Sequence, residues 1–550
     1  MSASSNDEVV NQPPLLQGHN IFSGDEALQE AVAREGAGWA VDTLSALGLQ
    51  LGRPEVIELG NLANKFPPEL QTHDRFGRRR DEVEFHPAWH DLMTIFMRAG
   101  LHASAWSDAR PGSHVARAAA FFLCGQIENG AQCPLTMTFA AVPVLRRHAV
   151  ALPMLSETWL PRIFSRDYDR RFLPVNEKAS ALIGMGMTEK QGGSDVRTNT
   201  TRAVPESESG PGRAYLLTGH KWFFSAPMCD AFLVLAQAPG GLSCFFTPRF
   251  LPDGRRNPLC IQRLKDKLGN RSNASSEVEF AGTQGWLLGE EGRGVPTIVE
   301  MVNHTRLDCA VGTAGIMRLA LSHALHHASH RRAFGRRLIG QPLMRNVLAD
   351  LALESEAATA LGLRVARTFD AADDPREADL RRVLTPAAKY WVCKRGPMFA
   401  AEAMEVLGGN GYVEESVLPR LYREMPVNSI WEGSGNVMCL DVLRAAAKSP
   451  DGIAAVFAEI DAALGSDPRL DRFAEKVRDD WMKGKIEEAN ARRLSESIVL
   501  GVQASLLVRF APPAVADAFC ASRLERDGGR AFGTLPSGVD VATILARAWS

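Results

Sequence analysis

The stretch NSIWEGSGNV, residues 428–437, seats one carboxylate, Glu432, between Trp431 and a run of glycines and small polar residues. An indole beside a carboxyl group raises its proton affinity by desolvation, and glycine lets a backbone or ligand come close, so the arrangement suits a tuned general base. The same ten residues also read as a turn at Gly433, with Glu432 capping a helix that begins near Ser434. A second constellation, HALHHASH, sets His323, His327 and His330 on one helical stripe. With no carboxylate at ligand spacing it reads as a solvated face, and no metal is expected. The triplet RRR at 78–80 is followed by DEVE, which offsets its charge locally.

The elements that must position these residues follow from periodicity. From about 24 to 176, segments such as DEALQEAVAREGAGWAVDTLSALGLQLG repeat apolar residues at three and four, which predicts a helical block. Between about 181 and 290 the texture becomes short or alternating apolar runs (RAYLLTGHKWFFS, DAFLVLAQ, LSCFFTPRF) separated by GG, PDG and GN turns, which predicts a small all-β domain. Helical periodicity returns from about 293 to 448 with segments long enough for a bundle. Beyond the KSPDG break lies a further helical region of mixed charge. The expected class is α+β, mainly α, in four parts: 1–180 helical, 181–292 β, 293–448 a bundle holding Glu432, and 449–550 an appended helical domain.

Bulk composition bounds the function. A chain of 550 residues, 45% hydrophobic and 23% charged, exceeds a single core and has an ordinary globular make-up. A net charge of -2 supplies no general basic field, so any contact with nucleic acid must come from a local patch. Nine scattered cysteines without a CxxC read as reduced thiols, which places the protein in the cytoplasm. The polar, acid-bearing start and the lack of any apolar run near the roughly 20 residues that span a bilayer predict neither secretion nor a membrane span.

Three motifs, in order, resemble the acyl-CoA dehydrogenase family of flavoproteins. GMGMTEKQGGSDVRTNTT, 184–201, is similar to the family's stretch in which backbone amides and hydroxyls hold the flavin ring and pyrophosphate; Met187, Thr188, Gly193 and Ser194 take those places. GHKWFFSAP, 219–227, resembles the strand that sets an aromatic ring and a hydroxyl against the flavin near N5, here Phe223 and Ser225. RRAFGRRLIGQP, 331–342, resembles the segment whose Arg and Phe, here Arg331 and Phe334, reach a neighbouring subunit's FAD. The resemblance also carries cofactor contacts to Glu405, Gly408, Gly409, Ser434 and Asn436. Two departures stand out: Pro342 and Glu405 occupy positions where the family usually has Gln.

In that family a Y-E-G-[ST] stretch carries the catalytic base, so WEGS at 431–434 implies that Glu432 removes the α-proton of an acyl thioester while the β-hydrogen leaves as hydride. The carbonyl is polarised at that moment by the base's own backbone amide and a flavin hydroxyl. Other members carry the base where this chain has Thr305, which cannot serve, and Arg306 matches an active-site Arg of the family. Trp431 in place of Tyr implies a narrowed cavity, suited to a short or branched acyl-CoA.

A closer resemblance spans essentially the whole chain, through TEKQGGSDV, HKWFFS, GGLSCFF, KDKLGNRSNAS and LYREMPVNSIWEGSGNVMCLDVLR. It is to the branch of the family that serves the bacterial adaptive response to alkylating agents. It implies an FAD-bearing homotetramer that binds double-stranded DNA, has weak dehydrogenase activity and protects DNA from alkylation. The rival reading, a metabolic dehydrogenase of short or branched acyl-CoA, predicts a chain ending soon after the bundle and a roomy channel. Residues 449–550 hold ten Arg and three Lys against nine Asp and six Glu, so a DNA site there requires basic side chains gathered on one face. The candidates are Arg444, Arg472, Lys476, Arg478, Lys483, Arg492, Arg493, Arg523 and Arg526, making sequence-independent contacts with phosphates.

Overall fold

The computed structural model describes residues 9–371, 373–482, 484, 486–525 and 527–549. Lys483 and Arg526, two of the candidate DNA contacts, lie outside the described residues. The chain forms two compact units: residues 55–312 with 427–437, and residues 1–54, 313–426 and 438–550.

In the first of these, the alternating segments become seven strands: β3 Ile183–Gly186, β4 Arg202–Pro205, β5 Ala214–Ser225, β6 Ala231–Ala238, β7 Gly241–Pro248, β8 Leu259–Leu264 and β9 Ser275–Leu288. β6, β4, β5, β9 and β7 pair in turn, and β7 pairs back with β6. The sheet is therefore a closed barrel, which leaves no free edge within the ring. β3 runs parallel to β6, and β8 lies against β9. Two irregularities on β5, at Leu217/Thr218 and Lys221/Phe224, shift its register against β9 and re-aim the side chains after Lys221. Beside the barrel stand the helices Ser113–Gly125 and Gln132–His148, the first buried along nearly its whole length. The Thr138 hydroxyl accepts a 2.9 Å bond from the Ile183 amide and so ties the second helix to β3.

The expected helical block is interrupted by a hairpin, β1 Glu69–His73 and β2 Arg79–Glu84. Its sequence has no apolar stripe at helical spacing, and the Asp74 carboxylate accepts from the amides of Phe76 and Arg78, which fixes the turn. The Arg triplet falls at the end of this turn and in β2, where Arg79 pairs with Asp81 and Arg80 with Glu82.

The second unit is helical. Its main struts are Pro342–Asp370 and Pro375–Val406, on which Pro450–Asp461 and Ala491–Phe510 pack. Arg364, ion-paired to Glu377 and Glu459, joins three of these helices. Arg547, in the last helix Val541–Ala548, reaches Glu26 and Glu30 of the first helix and Glu356 of Pro342–Asp370. Of the His stripe only His330 is the exposed side chain that a solvated face implies. His327 is buried and His323 is half-buried, and burial lowers their pKa values to about 4 and about 3, so both are neutral. No described helix is long and apolar enough to cross a membrane.

Candidate active site

Glu432 sits at a turn between the helices Leu418–Asn428 and Gly435–Lys448. Its backbone is left-handed, φ 58°, and Gly433 follows at φ 106°. A non-glycine residue held at positive φ is strained, and such strain persists where the surroundings over-determine it. Two consecutive residues of the helix Gly294–His330 supply that determination. The Thr305 hydroxyl hydrogen-bonds the Glu432 carboxylate, and Arg306 Nε donates to the Glu432 carbonyl at 3.2 Å. Thr305 is buried and Glu432 half-buried, so one carboxyl oxygen is held from the protein side while the group keeps access.

One turn along the same helix, Asp308 accepts hydrogen bonds from Arg117 and from the Thr136 hydroxyl. Arg117 lies over the Phe139 ring at 4.1 Å, so its buried charge has both a carboxylate and an aromatic face. Cys133, three residues before Thr136, is surrounded by Ser225, Asn273, Lys267 and Glu432; burial pushes its thiol up to about 12, so it is neutral.

The two motifs of the barrel meet through an ion pair that sequence reasoning missed. Lys221 Nζ donates to Glu189 at 2.8 Å, with both side chains fully buried. Glu189 also accepts from the amides of Thr200 and Thr201 and from the Thr200 hydroxyl. Burial opposes its charge, but Lys221 and these donors outweigh that and hold its carboxyl well below the usual range. Burial lowers Lys221 to about 8 despite the partner. The signal was present in β5, where Lys221 shares the inward parity of Tyr215 and Leu217. The pair locks Thr188 and the start of the Gly193–Ser194 turn to the strand carrying Phe223 and Ser225, and the Trp222 amide donates to the Thr188 carbonyl at 2.9 Å. Met187 and Thr188 are half-buried, Gly193 and Ser194 exposed, Phe223 half exposed, and Ser225 half-buried. Ser434 is half-buried and Asn436 exposed at the start of the helix after Glu432.

The remaining cofactor candidates belong to the helical unit. Arg331 donates to the Asn11 carbonyl at 2.7 Å at the base of a two-residue hairpin turn whose tip is Phe334, φ 51°, and Gly335, φ 80°. Phe334 is 97% exposed. Glu405, Gly408 and Gly409 form an exposed turn that ends the helix Pro375–Val406, with the Gly408 amide donating to the Glu405 carbonyl.

The DNA candidates separate by partner. Arg444 and Lys476 are exposed and have no ion pair among the described residues, whereas Arg472 pairs with Glu525, Arg478 with Asp461 and Arg493 with Asp480. Arg523 is a correction: its guanidinium turns inward onto Asp350 and Glu354, its side chain only 17% exposed. It fastens the C-terminal segment to the helix Pro342–Asp370 and cannot reach a phosphate without abandoning two buried carboxylates.

A helical N-terminal region, a small barrel, a helix bundle and a strained glutamate between two bundle helices define the acyl-CoA dehydrogenase fold, and comparisons with known proteins agree. Residues 11–170 match the adaptive response protein AidB N-terminal domain, 184–283 the acyl-CoA dehydrogenase middle domain and 292–447 the acyl-CoA dehydrogenase C-terminal domain. The chain is 53% identical, over 95% of its length and 95% of the relative's, to the acyl-CoA dehydrogenase-type protein AidB of Escherichia coli (strain K12). It is 30% identical to acyl-CoA dehydrogenase family member 11 of Caenorhabditis elegans, over 84% of this chain and 76% of that one. The crystal structure of C. elegans ACDH-11 in complex with C11-CoA superposes with a TM-score of 0.84 at 27% identity, over 95% and 94% of the two chains. The chain belongs to the acyl-CoA dehydrogenase family, in the branch of AidB.

Members of this family are FAD-dependent. The residues present fit such a group. Asn273 is 1% exposed, and its side-chain amide, beside the Cys133 thiol, leaves hydrogen-bonding capacity unused, while Asn199 Oδ1 is without a partner among the described residues. Buried amides are normally satisfied, so unused donor and acceptor capacity close to Ser225 and Cys133 fits a polar ring edge of the kind a flavin presents. At Gly193 a Cβ would stand 2.4 Å from Thr188 Oγ1, so only glycine leaves that turn its close approach.

Proposed function

We propose that the chain is an FAD-bearing, acyl-CoA dehydrogenase-type protein with weak turnover, which assembles as a homotetramer and binds double-stranded DNA in protection against alkylation. The observation that carries the chemical half is the strained Glu432 turn, held at its carboxylate by Thr305 and at its carbonyl by Arg306. Such a carboxylate is set to take the α-proton of an acyl thioester, the C–H electron pair staying on the substrate. The Glu432 amide would donate to the thioester carbonyl as charge develops there. Bound FAD would supply the hydride acceptor. Met187, Thr188, Gly193, Ser194, Phe223, Ser225, Ser434 and Asn436 would hold the ring side of the cofactor. Arg331, Phe334, Glu405, Gly408 and Gly409 would serve the adenine side of a neighbouring subunit's FAD; a ring 97% exposed at a hairpin tip favours such a partner. The half-buried Trp431 beside the base favours a short or branched acyl group and slow turnover.

The DNA half is supported by similarity to AidB and by the adaptive-response description of the matching N-terminal domain. Arg444 and Lys476, exposed and without ion pairs, are the first phosphate contacts to test, with Arg472, Arg478, Arg492 and Arg493 behind them. The double variant Arg444→Ala/Lys476→Ala should weaken duplex binding and reduce the slope of log affinity against log salt by about two, with FAD content unchanged. Equal affinity and slope would move the DNA site elsewhere. For the chemical half, Glu432→Gln should abolish deuterium exchange at the α-carbon of butyryl-CoA while FAD stays bound. Exchange that survives would place the base on another residue.

A further inference from the structure

Thr305 Oγ1 lies within hydrogen-bond reach of two acceptors, Glu432 Oε2 and the Val302 carbonyl at 3.0 Å, yet a hydroxyl has one proton to give. The Val302 carbonyl is the i−3 acceptor that a helical threonine uses unaided, so the hydroxyl has a resting position independent of Glu432. A fixed donor, such as a backbone amide or a guanidinium, can never accept from the acid and bonds the ionised carboxylate more strongly, so it opposes protonation. The hydroxyl carries only a smaller bias of the same sign, because it can donate to a carboxylate or accept from a carboxylic acid, the charge-assisted bond being the stronger.

We infer that Thr305 is a positioning residue that follows the proton on Glu432. It donates to the carboxylate while the base is ionised; once Glu432 has taken a proton, Thr305 accepts from the acid and turns its own proton to the Val302 carbonyl. This rests on the reading of Glu432 as the base. The balance is simple: one proton arrives on Glu432 Oε2 from the substrate carbon, and the threonine O–H rotates without breaking. The Thr305 hydroxyl and Glu432 Oε2 stay bonded to each other in both states, so Glu432 keeps its orientation through the cycle and the left-handed turn is never left without its anchor.

The charged and titratable groups around Glu432 come from three elements. Arg306, on the same helix, donates through Nε to the Glu432 carbonyl. From the helix Gln132–His148 and the segment before β9, Cys133 is a neutral thiol and Lys267 donates to the Asn273 carbonyl and the Ser275 hydroxyl. Asp308, one turn on, is taken up by Arg117 and Thr136.

The test uses the FAD-loaded protein with butyryl-CoA as probe and compares Thr305→Val, which keeps the shape, with Thr305→Ser, which keeps the hydroxyl. Two readouts are followed with pH: α-carbon deuterium exchange by NMR, and the infrared carbonyl stretch of the protonated carboxyl, assigned by its loss in Glu432→Gln. Charge-assisted bonds outweigh neutral ones, so Thr305→Val should raise the apparent pKa of exchange by roughly half to one unit. It should also move the protonated carbonyl band to higher frequency, while Thr305→Ser restores both. An unmoved pH profile and band in Thr305→Val, or a Ser variant that behaves like Val, would overturn the inference. If Glu432→Gln still exchanges, the base assignment itself falls and takes the inference with it. If Glu432→Gln is silent and Thr305→Val is unaltered, only the role of Thr305 falls.

Discussion

Replacing Glu189 by Gln tests whether the buried pair with Lys221 is what locks the two barrel motifs together. The substitution removes the charge facing an ammonium that has no solvent exposure, and turns amide hydrogens toward it. Breaking a buried pair from one side costs about 3–5 kcal/mol. An independent bound comes from Lys221, already lowered to about 8 with its partner present. Without Glu189 it would shed its proton at neutral pH, and holding a lysine neutral at pH 7 costs about 4.6 kcal/mol relative to an ordinary lysine. The two routes agree on roughly 3–5 kcal/mol. The assay is native-state hydrogen exchange at neutral pH on peptides covering 183–201 and 214–225, where such a loss appears as a fall in protection of roughly two to four powers of ten. The pH dependence has a definite sign. Glu189 has a depressed folded pKa, so its contribution is fully present above the ordinary glutamate range and is lost as pH falls below it, and the gap between wild type and variant closes on acidification. At alkaline pH the gap closes as well, because the unfolded lysine also loses its charge. Protection in 214–225 within threefold of wild type at pH 7 would refute the claim that this pair carries the junction.

The remaining expectations concern single sites. Asn273→Ala should leave the fold intact and weaken FAD retention by about three- to tenfold, the worth of one or two ordinary hydrogen bonds; dialysis followed by flavin absorbance reads it, and unchanged retention would mean that the amide faces water instead. Gly130→Ala should destabilise the protein by at least about 1–3 kcal/mol in urea, because the new methyl would stand 1.9 Å from Ser272 Oγ and 2.7 Å from the Asn273 amide nitrogen. A neutral outcome would require the 270–273 segment to move freely. Arg523→Gln should lower the urea midpoint through loss of about 3–5 kcal/mol, since Asp350 and Glu354 lose a shared cation, and should leave the salt slope of duplex binding as it was. A changed slope with unchanged stability would return Arg523 to the DNA contacts.

The class of fold was legible in the sequence because hydrophobic periodicity is a local quantity. The alternation in RAYLLTGHKWFFS and the three-and-four spacing of the later helices report which face each segment buries, wherever that face ends up. Resemblance located Glu432 and the family. What neither could supply is which long-range partners meet. In the sequence Thr305 is only a residue that cannot be the base; the fold shows its hydroxyl on a carboxylate 127 residues away. Arg523 counted as an available cation because charge is visible in a sequence and direction is not, and tertiary packing turned it onto two carboxylates far back in the chain. His327 read as solvated because its polarity suggested water, whereas the packing of the bundle buried it and removed its charge. Composition and spacing determined which segments coil and which alternate. Burial and pairing, which set proton affinity and decide whether a charge is free to act, came from the tertiary structure, because both depend on groups that chain order does not bring together.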